Sequence, residues 1–263
     1  MKNILVPIGS TETAQNTLQY AIDFASDINA NVFVFRAYKA KSKAGTMINV
    51  DAIIERETNL YLRTMVNAVD TKNVTVKLIS ARGGVLESVE AIDEELGVDL
   101  IIVNTKSNSI KEEIFLGATA GSLVKKTNIA VLTVPPSYQY KTITNVLLAF
   151  KSGIIQSKTA LFPLQAIAKQ FSPEVNMLLV KTPNYSDSDL VLDKDLENLK
   201  TSLTITENAT TFQGVLEHFK TYEPDLLCVF RRKRGFFTKL WEKNTVLKQE
   251  FHTSRPLLIL KGE

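Results

Sequence analysis

Four consecutive cationic side chains form the sharpest chemical feature of the sequence: Arg231, Arg232, Lys233 and Arg234. Guanidinium and ammonium groups bind phosphate and carboxylate oxygens through charge-assisted hydrogen bonds. The cluster therefore predicts an anion site, for the phosphates of a nucleotide or nucleic acid, or for an acidic patch on a partner. The alternative is a solvated loop without a ligand. In both cases burial would be costly for each charge, so we expect the loop to be exposed.

Residues that could perform catalysis or bind a metal do not form a known motif. The two histidines, His218 and His252, each lack a second ligand at metal-binding spacing. The sequence contains no nucleophile elbow, HExxH motif or Walker loop. Aspartates at positions 187, 189, 193 and 195 lie near a predicted helix start, where they favour the helix dipole or face water. The sequence therefore predicts a binding protein rather than an enzyme, without a metal.

Composition predicts a globular protein of a reducing compartment. The formal net charge is +3 and 44% of residues are hydrophobic, so composition alone indicates neither a nucleic-acid partner nor a membrane surface. The single cysteine, Cys228, lies in an apolar run, which predicts a buried thiol and excludes an internal disulfide. Pro7 interrupts the first apolar run too early for a signal peptide. We expect a cytoplasmic protein that does not span a membrane.

The elements that must position these residues follow an alternating pattern, in which short apolar runs are separated by segments of helical period. Parallel β-strands connected by α-helices have this pattern, and their strands are apolar on both faces. In the first half, strands are predicted at residues 3–7, 31–37, 73–79, 99–103 and 129–134. The first helix is predicted to have Ser10 or Thr11 as its N-cap. Pro163 predicts that a helix of the second half starts late or bends.

The second half of the sequence repeats the first at three strands in the same order. The matching segments are 3–8 with 145–150, 99–104 with 225–230, and 130–134 with 256–260. The offset is 142 at the first pair and 126 at the other two, so the second copy is shorter. The missing length is expected after the second strand. Two prolines at 135 and 136 indicate the join, which predicts two domains, residues 1–137 and 141–263.

The strands and one spaced motif resemble the universal stress protein family, and the resemblance covers nearly the whole chain as a tandem, bacterial-type pair. In that family, a strand is followed by Gly-x-x-Gly, nine residues, and then Gly with Ser or Thr. Here Asn104 and Ser107 stand at the two glycine positions, and Gly117-Ala118-Thr119 follows after nine residues. The resemblance implies an α/β, nucleotide-binding-type fold with two consecutive five-stranded parallel sheets of order 3-2-1-4-5 and helices on both faces. An approximate two-fold axis would relate them, with the fifth strands meeting.

The resemblance also implies where a nucleotide would bind, because ATP-binding members hold it at the loops after the first and fourth strands. The equivalent positions in the first half are Pro7, Ile8, Gly9, Ala37, Asn104, Ser107, Gly117, Ala118 and Thr119. Gly9 replaces an aspartate, and Asn104 and Ser107 replace glycines that let the backbone approach phosphate. Ala118 lacks a phosphate-binding hydroxyl, which Thr119 could partly supply. We therefore expect ATP to bind weakly or not at all, and no other cofactor is predicted.

The second half departs further from the family pattern. Its first strand runs into Lys151, and its fourth strand runs into the cationic cluster. Lys233 and Lys243 preserve the nine-residue spacing but replace glycines. A bulky cationic loop is therefore predicted where the family has a phosphate cradle.

Two functions remain open from the sequence. The first is a tandem universal stress protein of the stress response whose nucleotide sites are degraded and which acts through protein contacts. The second is an ATP-binding switch or weak ATPase that uses a residual site in the first domain. We expect protein partners, pairing of the two domains within the chain and scope for further self-association, and we expect neither nucleic-acid nor membrane binding.

Overall fold

A computed structural model of the protein describes residues 1–9, 13–39, 49–105, 117–231 and 255–261. In the first half, strands and helices alternate as β1 (Asn3–Pro7), α1 (Ala14–Ile28), β2 (Asn31–Tyr38), α2 (Val50–Asn67), β3 (Val76–Arg82), α3 (Val85–Leu96), β4 (Leu100–Asn104), α4 (Gly117–Lys126) and β5 (Ala130–Val134). The second half contains β6 (Asn145–Phe150), α5 (Phe162–Phe171), β7 (Glu174–Lys181), a 3-10 turn (Asp187–Leu190), α6 (Lys194–Leu199), β8 (Ser202–Glu207), α7 (Thr211–Tyr222), β9 (Leu226–Phe230) and β10 (Leu257–Leu260).

The strands form one ten-stranded sheet in the order β3-β2-β1-β4-β5-β10-β9-β6-β7-β8. Each half has the predicted order 3-2-1-4-5 with parallel neighbours, which confirms the α/β fold. The prediction of two separate sheets is wrong, because β5 and β10 pair antiparallel. Both are buried strands whose outer backbone groups would otherwise lack hydrogen bonds, and each supplies the other's partner.

The strand pair at the centre relates the two halves by an approximate two-fold axis. Leu132 lies opposite Leu258, its own counterpart in the sequence repeat. The remaining pairs, Val131 with Ile259 and Thr133 with Leu257, are also exchanged by this symmetry. The halves thus meet through equivalent strands, as two copies of one unit would. The domain boundaries at residues 137 and 141 stay a prediction, since the sheet is continuous.

Helices α1 and α5 pack against each other on one face of the sheet and strengthen this contact between the halves. The ring centroids of Phe24 in α1 and Phe171 in α5 lie 6.3 Å apart. The connection after β5 runs across α1, where Tyr140 meets the buried Tyr20 edge-on at 5.4 Å and donates a 2.6 Å hydrogen bond to Asp27. The pairing of the halves is therefore apolar at its centre and polar at its rim.

An asparagine–aspartate clamp at the amino end of each half is a second product of the repeat. The carboxylate of Asp99 accepts hydrogen bonds from the backbone amides of Lys2 and Asn3, at 2.5 and 3.0 Å. Its counterpart Asp225 accepts from the amides of Thr144 and Asn145, at 2.9 and 3.1 Å. Each clamp ties the first strand of a half to its fourth strand. The sequence matches at Asn3 and Asp99 therefore mark a structural site at the edge opposite the predicted nucleotide crevice.

The Asp225 clamp predicts a specific dependence of stability on pH. Burial alone would raise the pKa of Asp225, but hydrogen bonds from Lys141 and Thr144 outweigh it and lower this pKa. The folded state thus binds fewer protons. The contribution of Asp225 to the free energy of unfolding is therefore present above the unfolded pKa of about 3.9 and is lost as pH falls through the folded pKa. We expect Asp225→Asn to reduce the free energy of unfolding by about 2 kcal/mol at pH 7, measured by urea unfolding.

The difference between wild type and Asp225→Asn should shrink as the pH falls from about 5 to 2. Asp187→Asn, at an exposed aspartate of the 3-10 turn, is the control and should stay close to wild type. A difference between Asp225→Asn and wild type that is constant with pH would contradict the assignment.

Local features agree with several expectations from the sequence and correct two. Pro163 is the second residue of α5, which confirms the late helix start. Cys228 is fully buried, and burial raises the pKa of its thiol. The third strand begins at Val76 rather than at residue 73, because the chain turns at Lys72 (φ 49°). The N-cap of α1 is Thr13, and the predicted caps Ser10 and Thr11 lie outside the described residues.

The missing length of the second copy lies between its second and third strands, as predicted. In the first half this connection contains the 18-residue helix α2, which packs across β2 and β3. In the second half it contains only the 3-10 turn and the six-residue helix α6. Asp189 completes a capping box with Ser186, and Asp193 caps α6, so two of the four aspartates stabilise helix starts.

Candidate functional site

The crevice at the carboxyl ends of β1 and β4 is the candidate site, because β1 pairs with β2 on one side and β4 on the other. Connections leave these two strands in opposite directions, and open parallel sheets bind ligands at such a point. Pro7 ends β1, followed by Ile8 and Gly9, while Asn104 ends β4. The structure thus brings together the predicted residues of the first and fourth strands.

A side-chain hydrogen bond crosses this crevice. The Nδ2 atom of Asn104 donates to the hydroxyl oxygen of Thr13, at 2.8 Å. Thr13 begins the connection into α1, so the bond ties the end of β4 to the start of α1 across 91 residues of sequence. A glycine at position 104 would leave this space to a ligand. The asparagine fills it with a protein contact.

The loop after β1 is held from the other side by α2. The hydroxyl of Tyr61 donates a 2.9 Å hydrogen bond to the carbonyl oxygen of Gly9, and the guanidinium of Arg36 lies 4.0 Å from the centre of the Tyr61 ring. No described atom beyond its chain neighbours lies within 4 Å of the position that a Cβ on Gly9 would take. Tyr61 and Arg36 were not among the site residues predicted from the sequence, although Tyr61 lies beside the buried Leu62 of α2.

The other predicted positions lie on different elements or outside the described residues. Ala37 packs on the opposite face of the sheet from Tyr61. Gly117 and Ala118 begin α4, whose N-terminal amides would point at an anion there, and Thr119 is exposed on the same helix. Ser107 lies outside the described residues. Among the described residues, the buried hydroxyl of Thr105, after β4, has no hydrogen-bond partner.

In the second half, the loop after β6 contacts the chain's own connection between β7 and β8. Gly153, in the loop after β6, donates its amide to the carbonyl of Asp189 at 2.8 Å and accepts from the amide of Asp193 at 2.9 Å. A Cβ on Gly153 would lie 2.6 Å from the carbonyl oxygen of Val191. The connection between β7 and β8 therefore lies directly against the loop that would have to receive a phosphate.

Arg231, the first cation of the predicted anion site, binds the protein itself. Its guanidinium donates to the carbonyls of Val124, at 3.3 Å, and Thr127, and to the side-chain oxygen of Asn128 at 3.3 Å. These acceptors lie at the C-terminal end of α4, where cations are favoured by the helix dipole. Burial lowers the pKa of Arg231.

The expectation of an exposed loop is therefore wrong for Arg231, which is partly buried and links the second half to the first. The carbonyl acceptors at the end of α4 compensate for the loss of hydration of the guanidinium group. They lie far from position 231 in the sequence, so the sequence around that position could not reveal them. Arg232, Lys233 and Arg234 lie outside the described residues, as do Lys243 and His252.

Within the described ranges, no group of three or more histidine, cysteine, aspartate or glutamate side chains could hold a metal ion. His218 lies on α7 with its ring 6.4 Å from that of Tyr222, and this contact gives it a packing role. In the same part of the chain, no helix is long and apolar enough to cross a membrane.

Comparison with known proteins assigns the first half directly. The sequence profile of the Universal stress protein family matches residues 1–135, just over half of the chain. This chain belongs to the universal stress protein family. Comparison with curated protein sequences gives no match. The doubled strand order described above accounts for the length beyond a single family unit.

Solved structures extend the similarity in fold to the whole chain. A universal stress protein from Archaeoglobus fulgidus DSM 4304 has a TM-score of 0.69 and 15% identity, with 99% of this chain and 96% of that chain covered. A protein of unknown function from Pseudomonas aeruginosa PAO1 has a TM-score of 0.57 and 14% identity, with 100% and 93% covered. A universal stress protein in complex with cAMP covers 52% of this chain and 98% of its own, with 18% identity and a TM-score of 0.38.

Proposed function

We propose that this universal stress protein is a tandem, stress-response binding protein whose two nucleotide-type crevices have lost useful affinity for ATP and which acts through contacts with protein partners. The hydrogen bond from Asn104 to Thr13 is the main support for this proposal, because it occupies the position where a glycine would let the backbone approach phosphate. Binding a nucleotide there would require breaking this contact without an acid at Gly9 to replace it.

The second half supports the same proposal through a different contact. The two backbone hydrogen bonds of Gly153 hold the connection between β7 and β8 in the crevice. Backbone contacts of this kind do not depend on one side chain, so a phosphate could enter only if the connection moved. Removal of well-placed hydrogen bonds lowers affinity by about tenfold for each 1.4 kcal/mol.

We expect 5 mM ATP with Mg²⁺ to raise the melting temperature of the protein by no more than about 1.5 °C. A dissociation constant of about 5 mM or more gives at most about 0.4 kcal/mol of stabilisation at this concentration, whereas a constant near 50 μM would give about 2.7 kcal/mol. For a chain of this size, about 1 kcal/mol corresponds to 2–4 °C.

Inorganic tripolyphosphate with Mg²⁺ at the same concentration is the control for general anion binding by the cationic cluster. A shift that ATP produces and tripolyphosphate does not, or submicromolar ATP binding in calorimetry, would contradict the proposal. Equal shifts with both ligands would assign the effect to anions rather than to a nucleotide crevice.

A second candidate, an ATP-binding switch or weak ATPase, is favoured by the space beside Gly9, which none of the described residues fills. The N-terminus of α4 at Gly117 lies after the same β4 strand and could donate amides to a phosphate. The thermal shift with ATP separates this candidate from the first, since only the switch requires a specific response.

A further inference from the structure

The two halves differ most in what covers their third strand. In the first half, α2 packs over β2 and β3, and Asp51 in its first turn forms a 2.7 Å ion pair with Arg82 at the end of β3. In the second half, the shorter connection is described throughout and contains no helix that corresponds to the start of α2. The face of β8 therefore lacks the cover that its counterpart β3 has.

The residues of β8 on this face are exposed and differ in chemistry from those of β3. Strand register aligns Arg82 with Glu207, because each lies opposite the last residue of the preceding strand, Tyr38 or Lys181. Ile205 is 47% exposed. The Glu207 side chain is 81% exposed, and its carboxylate forms a distant ion pair with the Nζ atom of Lys181 at 3.9 Å. Alternation along a strand places Ile205, Glu207 and the partly buried Leu203 on one face. We call these three residues the β8 face.

We propose that the β8 face is a docking site for an amphipathic helix of a partner protein, which would take the position that the start of α2 has in the first half. The partner helix would place an aliphatic side chain on Ile205. It would place a lysine or arginine opposite Glu207, because the charge at this position is reversed relative to Arg82 with its partner Asp51. This inference rests on the proposed role in protein binding and specifies the kind of partner.

The first half shows which side chains such a helix directs at the sheet. In α2, Asp51, Ile54 and Thr58 have the i, i+3, i+7 spacing of one helix face. They are buried or half-buried, whereas Ala52 and Arg56 are exposed. A partner helix with a cation at the position of Asp51 and an aliphatic residue at the position of Ile54 therefore fits the β8 face. The cation would meet the exposed glutamate, and the aliphatic residue would meet the exposed isoleucine.

A peptide from the chain itself can serve as the probe. It comprises residues 49–60 with Asp51→Lys. Because short helices are marginal in water, a lactam bridge stabilises the helix. The bridge joins the side chains introduced by Ala52→Lys and Arg56→Asp, both at exposed positions. We expect saturable binding of the labelled peptide in fluorescence anisotropy. Ile205→Ser in the protein should weaken it about fivefold, whereas Ile53→Ser, at an isoleucine of the same 47% exposure on α2, should leave it unchanged.

Charge reversal provides a second test that does not depend on Ile205. Wild type should prefer the peptide with Asp51→Lys over the same lactam peptide that retains Asp51, and Glu207→Lys should reverse this preference, by about threefold in each direction. Absence of saturable binding, equal binding by Ile205→Ser and wild type, or an unchanged preference in Glu207→Lys would overturn the proposal.

A second copy of the chain is the other occupant that the experiment must identify. If sedimentation velocity finds a dimer that Ile205→Ser dissociates and Ile53→Ser does not, the β8 face binds another copy and the proposal of a foreign helix is overturned. The response to ATP does not involve β8, so failure of the peptide test and failure of the proposed function are separate results.

Discussion

Gly153→Ala is expected to lower the free energy of unfolding by about 3 kcal/mol, whereas Gly9→Ala should stay within about 1 kcal/mol of wild type. The two glycines lie in the equivalent loops of the two halves but in opposite surroundings. A methyl group on Gly153 would lie 2.6 Å from the carbonyl oxygen of Val191 and 3.0 Å from the Cα of Leu192. These are backbone atoms, and the hydrogen bonds of Gly153 to Asp189 and Asp193 prevent them from moving away.

Chemical unfolding of the two variants under identical conditions measures this difference. Gly9 is the matched control because its Cβ position is open to at least 4 Å among the described residues. Equal stability of the two variants would mean that the connection between β7 and β8 does not fill the second crevice. The support that this contact gives to the proposed loss of nucleotide binding would then be removed.

Arg231→Met should lower the free energy of unfolding by about 3 kcal/mol, while Lys126→Met should lower it by less than about 0.5 kcal/mol. Methionine retains most of the side-chain volume but removes the donors that reach the carbonyls of Val124 and Thr127. Those carbonyls would then lose charge-assisted hydrogen bonds at the end of α4. Lys126 is an exposed cation in the last turn of the same helix and tests for a general effect of charge.

Urea unfolding at moderate salt is a suitable measurement, because salt screens the electrostatic interactions of the exposed lysine more than those of the partly buried arginine. A similar loss in both variants would contradict the specific link between Arg231 and α4. The outcome also bears on the cationic cluster, because an arginine bound to carbonyls of the first half does not contribute a free cation to an anion site.

The two edges of the sheet illustrate how a repeat can retain a fold while its local contacts change. Both halves keep the strand order and the aspartate clamps at Asp99 and Asp225. The crevices have different contacts, a side-chain bond from Asn104 in one and backbone bonds of Gly153 in the other. The contacts that the two halves share thus lie at the amino edge of the sheet, and those that differ lie at the carboxyl edge. Changes at one edge need not disturb the other.

The elements of the fold were predictable because their signals are local and occur twice. Apolar runs such as residues 3–7 and 145–150 identify buried strands, and the change in offset located the shortened connection after the second strand. The exact start of the third strand was less predictable, since it depends on the turn at Lys72, where the backbone has a positive φ. The weakened nucleotide site at Gly9 and Asn104 stays a prediction, and the hydrogen bond from Asn104 to Thr13 could not be predicted from the residue types.

The sequence by itself determined the strand and helix pattern, the internal repeat, the burial of Cys228 and the resemblance to the family. Only the tertiary structure decided that the two sheets join through β5 and β10, that Asn104 bonds to Thr13, and that Arg231 caps α4. The physical reason is the distance along the chain. Periodicity reports which side of an element is buried, whereas these contacts join residues about 90 to 130 positions apart and depend on how complete elements pack.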